Sequence, residues 1–321
     1  MDNLVLVFVL LVLITFVNAY TTRRRRSASE YVAEIVPNRT RMFIYFKRNL
    51  DMTAKECSDY WRGPHAKLFL STKSVRENLL RYEQLHVNQE WKERLLKEGF
   101  RVPDFDGVMI AEGATMDNIL TVILPSQSLT QHIPKPHIVQ AFNNKEYNEI
   151  VPPDTAKYGD LDSMLTGFVN ITSVINKLPS ESFLPDPKHG VIRKDVQTLV
   201  GNFARKPGMN YPDFIKYWTK ANTPKLVDVV RATGKDREIM GYELNTFDPV
   251  EPTVSNPFPS FTDKWDAVGL LSGRSIGDVM NILKDRQVVE FTGKDAPHFV
   301  DMKKDIELIP CDAVSFEIPK L

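Results

Sequence analysis

Two cysteines in 321 residues, Cys57 and Cys311, are too few for a metal framework and allow at most one disulfide. The chain has no Cys-x-x-Cys and no H-x-x-x-H, and His132 and His137 in "QHIPKPH" lack a third ligand nearby, so no metal is expected. It also lacks G-x-G-x-x-G, a P-loop and G-x-S-x-G, which leaves nicotinamide, nucleoside triphosphate and nucleophile-elbow hydrolase readings without support. No cofactor is expected. An excess of one charge is missing too: 41 Lys and Arg balance 41 Asp and Glu, so no basic field exists to hold a nucleic-acid backbone.

Long apolar runs are absent apart from residues 4–17, interrupted only by Thr15 and shorter than the roughly 20 residues of a spanning helix. This length fits a signal peptide, residues 1–19, cut after Ala19. Two features oppose it: the leading "MDN" carries no basic side chain, and Arg23 to Arg26 follow the run, as in an uncleaved anchor with its body in the cytosol. Secretion is the expectation and a membrane-anchored chain, touching the membrane through residues 4–17 alone, the alternative. The basic segment spans residues 20–39, and its four arginines read equally as a processing site or a solvated flank. Asn38 and Asn170 match the glycosylation acceptor pattern. Asn38, beside a turn proline, reads as exposed, whereas Asn170 lies in an alternating strand that can hide it.

What the chain does have is a repeat. "DYWRGPHAKLF" (residues 59–69) returns as "KYWTKANTPKL" (residues 216–226). One offset of 157 residues places Phe46 on Phe203, Arg48 on Arg205, Met52 on Met209, Glu56 on Asp213, Tyr60 on Tyr217 and Trp61 on Trp218. That period far exceeds a solenoid unit of roughly 20 to 50 residues, so it marks a duplicated domain. Cys57 falls opposite Phe214 and therefore reads as a buried core thiol.

Each copy shows the same order of signals. An alternating strand ("RMFIYF", "VQTLVGNFA") precedes a turn and a helix, capped by Thr53 with Glu56 in the first copy and by Asn210 in the second. Two strands follow ("RYEQLHV" and "DFDGVMIAEG"; "GYELNTF" and "KWDAVGLLSG"), then a second helix, clearest as "SIGDVMNILKDR", and a last strand. The sum is α+β: two tandem ferredoxin-like (βαββαβ) domains, residues 40–178 and 195–321, joined by a Pro-rich linker at 179–194. Each one-sided sheet would expose an apolar face unless the two paired, so an internal pseudo-dimer in a monomeric chain is expected, an intramolecular dimeric α/β barrel. "WKERLLKEGFRVPDF" reads as a charged helical insertion and "DPVEPTVSNPFPSF" as an irregular flap.

The strand with a basic end, the turn, and "YWRGPHAKL" resemble the EthD family of dimeric α/β barrel proteins, through Arg48, Tyr60, Trp61, His65, Ala66 and Leu68, and "FDGVMI" is similar to that family's D-G-V strand. The second copy keeps Arg205, Tyr217 and Trp218 but has Asn222 and Thr223 in place of His and Ala. The resemblance implies a sheet-lined cavity per barrel and an oxidoreductase association. Its superfamily includes cofactor-free oxygenases, decarboxylases and cyclases of aromatic polyketides, as well as haem-binding proteins.

His65 and His86 are the candidate acids or bases for a phenolic or enolisable substrate near neutral pH. Pro64 should kink or end the helix at His65, which either turns the imidazole to a cavity or ties the helix end to a neighbouring loop. Of His86 and Leu85 on their strand, one faces the barrel interior, and Tyr82 shares the side of His86. Tyr60, Trp61, Tyr217, Trp218 and Asn222 either line a pocket for an aromatic ligand or are helix-to-sheet packing. Arg48 and Arg205 either hold a substrate carboxylate or cover the rim. Two functions remain: an enzyme acting on a small aromatic molecule by cofactor-free proton transfer, as oxidation or decarboxylation, or a secreted module that binds a hydrophobic ligand unchanged.

Overall fold

The computed structural model describes residues 34–115, 118, 119, 122, 145–176, 196–247, 264–304, 306–316, 318 and 319. The expected signal peptide, the arginine run, His132 and His137, the linker and the proline-rich flap lie outside these residues. Eight strands form one closed antiparallel barrel, in the order β1-β3-β2-β8-β5-β7-β6-β4. They are β1 (Glu34–Arg48), β2 (Leu79–Val87), β3 (Gly107–Gly113), β4 (Gly159–Asn176), β5 (Gln197–Phe203), β6 (Ile239–Phe247), β7 (Ala267–Gly273) and β8 (Glu307–Phe316). Strand β1 begins inside the segment expected to precede the fold, and the Asn38 backbone belongs to it.

Closure comes from exchange of last strands. β4 pairs with β1 of its own half and β6 of the other, and β8 pairs with β5 and with β2. No strand of the barrel keeps a free edge, which removes the unpaired amides and carbonyls of an open sheet.

Strand alternation divides the side chains between two layers. Phe43, Tyr45, Leu85, Val108, Ile110, Val200, Val268, Leu270, Ile309 and Cys311 converge inside the barrel and pack against one another. Met42, Ile44, Phe46, Tyr82, Met109 and Ala111 point outward, under the helices of the first half. The interior is filled rather than open, and one barrel serves both halves, in place of a cavity in each of two barrels.

One level of that interior is charged. Arg41, 1% exposed, donates to Glu112 from Nε at 3.0 Å and Nη2 at 2.6 Å, and from Nη1 to Glu243 at 2.6 Å and Asn245 at 2.7 Å. Arg81 joins at Glu112 (3.0 Å) and Glu83 (2.5 Å). Burial pushes Glu112 up, but Arg41 and Arg81 outweigh it and draw the carboxyl down to about 2. Four residues further along β1, the Tyr45 hydroxyl crosses the lumen to donate to Asn202 Oδ1 of β5 at 3.0 Å, between positions 157 apart.

Helices cover the outside. In the first half α1 (Ala54–Tyr60), a π turn (Trp61–His65), α2 (Ala66–Ser71) and α3 (Lys73–Asn78) precede β2, and α4 (Gln89–Lys97) leaves it. The Thr53–Glu56 capping box forms, and Asn210 caps the matching helix. α5 (Lys145–Thr155) leads into β4. In the second half α6 (Tyr211–Lys216), a π turn (Tyr217–Asn222) and α7 (Thr223–Ala232) precede β6, and α8 (Ile276–Leu283) and α9 (Arg286–Asp295) lie between β7 and β8. Helix α4 packs Leu95 against Ile276, Val279 and Met280 of α8, so the charged insertion clasps the other half.

Both cysteines are free and buried. Asn170, on a strand that could hide it, is exposed on β4, because its side chain takes the outward register of that strand. No helix among the described residues is long and apolar enough to cross a membrane.

Candidate active site

Pro64 neither ends nor breaks the helix. The chain widens into a π turn over Trp61–His65, which takes in Pro64, and continues as α2. The second half makes the same turn over Tyr217–Asn222 with no proline inside, so the shared Tyr-Trp pair, not Pro64, accompanies it.

The turn buries Trp61 (1% exposed) edge-on to Phe46, ring centroids 4.7 Å apart, and leaves Tyr60 half-buried. Gly107 of β3 lies beneath: a Cβ there would come within 2.5 Å of Phe46 and 2.6 Å of Trp61. In the second half Ala267 takes the matching position, and the Phe203 and Trp218 rings stand farther apart at 5.2 Å.

His65, 3% exposed, is drawn under the turn by Asp154 of α5. Its Nδ1 lies 2.9 Å from Asp154 Oδ2, and the Tyr60 hydroxyl donates to Oδ1 at 2.6 Å, as does Lys157 Nζ at 3.0 Å. Burial raises Asp154, but the bonds from Tyr60, Lys157 and His65 outweigh it and hold the carboxyl below its ordinary value. An ionised carboxylate only accepts, so the proton sits on Nδ1 and Nε2 keeps its lone pair. Nε2 has no hydrogen-bond partner among the described residues. Burial lowers His65 against the pull of Asp154, which leaves the imidazole neutral at pH 7. The second half repeats the frame with an amide: Tyr217 donates to Asp295 Oδ1 at 3.0 Å and Asn222 Nδ2 to Oδ2 at 2.8 Å.

The His86 ring lies against Trp61, ring centroids 4.5 Å apart. It shares the outer layer with Tyr82, and Leu85 is the residue that enters the barrel. Its Nε2 is 2.9 Å from Gln84 Oε1 and its Nδ1 2.8 Å from Ser58 Oγ. Burial, then the charge of Arg62, push His86 down to about 3. Tyr82 is fully buried between Phe69 and Phe316, accepts from Gln84 Nε2 at 2.7 Å, and is raised by that burial.

Arg48 and Arg205 lie at the rim. Each pairs with the aspartate ahead of a strand, Arg48 with Asp106 and Arg205 with Asp266 (3.1 Å), and both aspartates also accept from the arginine's own backbone amide, at 2.9 and 2.8 Å. The structure thus brings Tyr60, Trp61, His65, Tyr82 and His86 together and sets Arg48 apart from them. Tyr217, Trp218 and Asn222 form the counterpart in the other half.

Asp154, Ser58 and Gln84 complete this layer and were not singled out from the sequence. Asp154 and Tyr158 do correspond to Asp295 and Phe299 at one offset of 141, a signal weaker than the Tyr-Trp repeat. Among the described residues, no three His, Cys, Asp or Glu side chains gather as metal ligands would.

No family model and no curated protein matches this sequence. Solved structures do match in shape. An anthrone oxidase-like protein aligns over 89% of this chain and 97% of its own, with TM-score 0.50 and 7% identity. A protein put forward as a monooxygenase from Lactobacillus acidophilus aligns over 88% and 98%, with TM-score 0.45 and 8% identity. A chlorite dismutase variant from Candidatus Nitrospira defluvii aligns over 87% and 91%, with TM-score 0.43 and 8% identity. The chain has the fold of the dimeric α/β barrel proteins. At such identities the likeness speaks to fold alone.

Proposed function

We propose that the chain is an EthD-like pair of tandem ferredoxin-like units, and that its first unit is a cofactor-free acid–base site for a small aromatic, polyketide-like substrate. The observation that carries this reading is His65, held through Nδ1 by Asp154 with Nε2 left as a neutral base, where the second half has an amide that cannot titrate. Tyr60, half-buried and sharing Asp154 with His65, suits an aromatic guest. Proton removal from a phenol or an enolisable ketone makes an electron-rich anion, the common first step of oxidation by dioxygen and of decarboxylation. The anthrone oxidase-like neighbour motivates the first of these, and anthrone is the probe to try first. Delivery to the secretory pathway belongs to the same proposal.

The test is turnover of anthrone and related phenols by wild type and by His65→Asn, which copies the second half. A loss of at least about 100-fold in kcat is expected, with the wild-type rate falling as pH drops through a value below 6.5. Undiminished turnover by His65→Asn would sink the proposal.

A second reading, a module that binds a hydrophobic molecule without changing it, is favoured by the ability of Asn222 to make the same contact as His65. Native mass spectrometry of protein from its own source separates the two: a ligand retained unaltered through long incubation supports binding, a converted one supports catalysis.

A further inference from the structure

We infer that Ser58 is a nucleophile with His86 as its base, forming a second reactive centre in the first half that accepts an acyl group from an activated ester or thioester. The hydrogen-bond pattern fixes the direction of every proton in the chain. Gln84 Nε2 donates to the Trp61 carbonyl at 2.9 Å and the Tyr82 hydroxyl at 2.7 Å, so the amide is oriented and its Oε1 can only accept. That oxygen faces His86 Nε2 at 2.9 Å, which must carry the imidazole proton. Nδ1 is therefore the lone-pair nitrogen, and Ser58 Oγ, 2.8 Å away, donates into it. Nucleophile, base and orienting group stand in the sequence that acyl-transfer sites use, with Gln84 holding the imidazole's tautomer.

Ser58 is half-buried at the outer end of this chain, on α1. Arg62, four residues on and paired with Asp59, lies in the same turn of chain and its charge reaches His86. Packing does not require the arrangement. Tyr82, Gln84 and His86 correspond to Tyr242, Leu244 and Thr246 at an offset of 160, and Ser58 to Ile215. The second half thus lays the same helix on the same sheet with two of the three polar groups replaced by hydrocarbon and no imidazole.

In the step itself, Ser58 Oγ forms a bond to the acyl carbon while its proton passes to His86 Nδ1. The C–O or C–S bond to the leaving group breaks, and the leaving group takes that proton. Water repeats the exchange to release the acid, so ester plus water gives acid plus alcohol.

The probe is p-nitrophenyl acetate, followed by p-nitrophenolate release and by peptide mapping. Expected are a burst approaching one equivalent and an acetyl group on Ser58, abolished in Ser58→Ile, which copies the second half, and formed at least tenfold more slowly in His86→Gln. Mapping of the wild type alone decides the matter if His86→Gln does not fold. Acetyl groups on lysines with none on Ser58, or equal Ser58 acetylation rates in wild type and a folded His86→Gln, overturn the proposal.

Discussion

Beneath the helices of the first half, Ser58, Gln84 and His86 occupy the positions that Ile215, Leu244 and Thr246 fill in the second. Inside the barrel, Arg41 and Glu112 pair where the second half has Thr198 and Ser272, whose hydroxyls meet at 2.9 Å. The backbone frame is common to both halves: each has a π turn, a Tyr hydroxyl on an aspartate, and a Phe–Trp contact at the sheet. The second half shows that this frame holds with cheaper side chains. A buried guanidinium and buried imidazoles carry desolvation costs that hydrocarbon and hydroxyl pairs avoid, so the presence of Arg41, His65 and His86 in the first half, with no buried arginine or histidine among the described residues of the second, is not explained by folding.

The largest expected effect tests the interior pair. Arg41→Ala leaves Glu112 only Arg81 and Arg39 and takes the guanidinium away from Glu243 and Asn245, and should cost about 3–5 kcal/mol in urea unfolding. The double change Arg41→Thr with Glu112→Ser, the second half's solution, should recover about 1–3 kcal/mol of that. A double variant no more stable than Arg41→Ala would show that the two halves are not interchangeable here.

Gly107→Ala is the next largest. Its methyl would meet the Phe46 and Trp61 rings at 2.5 and 2.6 Å, so the rings must move toward the 5.2 Å spacing found above Ala267. A loss of about 1–3 kcal/mol is expected, read as a shift in melting temperature. No shift would mean that the tighter stack of the first half carries no strain.

Acid should also separate the halves. His86 titrates near 3 when folded and near 6.5 when unfolded, so the unfolded chain takes up the proton first. Its stability contribution is whole above pH 6.5 and declines as pH falls toward 3, by about 1.4 kcal/mol per pH unit. His65 adds to the upper part of this window. Between pH 6.5 and 4.5, before the lowered carboxylates respond, His86→Thr should show a shallower decline than wild type in urea midpoints. Parallel slopes would contradict the burial of a neutral imidazole.

The smallest effect is on the stability of His65→Asn, within about 1 kcal/mol of wild type, since an amide already makes this bond to Asp295. A larger loss, measured by the same unfolding, would mean that the imidazole ring's contact with Tyr158, centroids 4.8 Å apart, matters more than its hydrogen bond.

The barrel strands were legible because outward and inward side chains alternate, as in "RMFIYF", and α1 because Thr53 and Glu56 mark its start. Helix α5 was not, since Pro152 and Pro153 read as breakers while the helix runs through them. That loss hid Asp154, and with it the partner that fixes His65. The π turns leave no trace in a 3.6-residue pattern. Leu85 and His86 could not be assigned to a side because both sides of β2 are buried, which removes the polar-outside cue that strand reading depends on.

Tyr45 and Asn202 meet across the lumen at positions related by the repeat. In an assembly of two identical chains, a residue at such a place confronts itself, and two phenols or two amides must share one geometry. Joining the halves in one polypeptide lifts that restriction, so one side can specialise as donor and the other as acceptor. The bond is a symmetry-breaking device: it makes each half the other's required partner and leaves two copies of the first half without a matched pair.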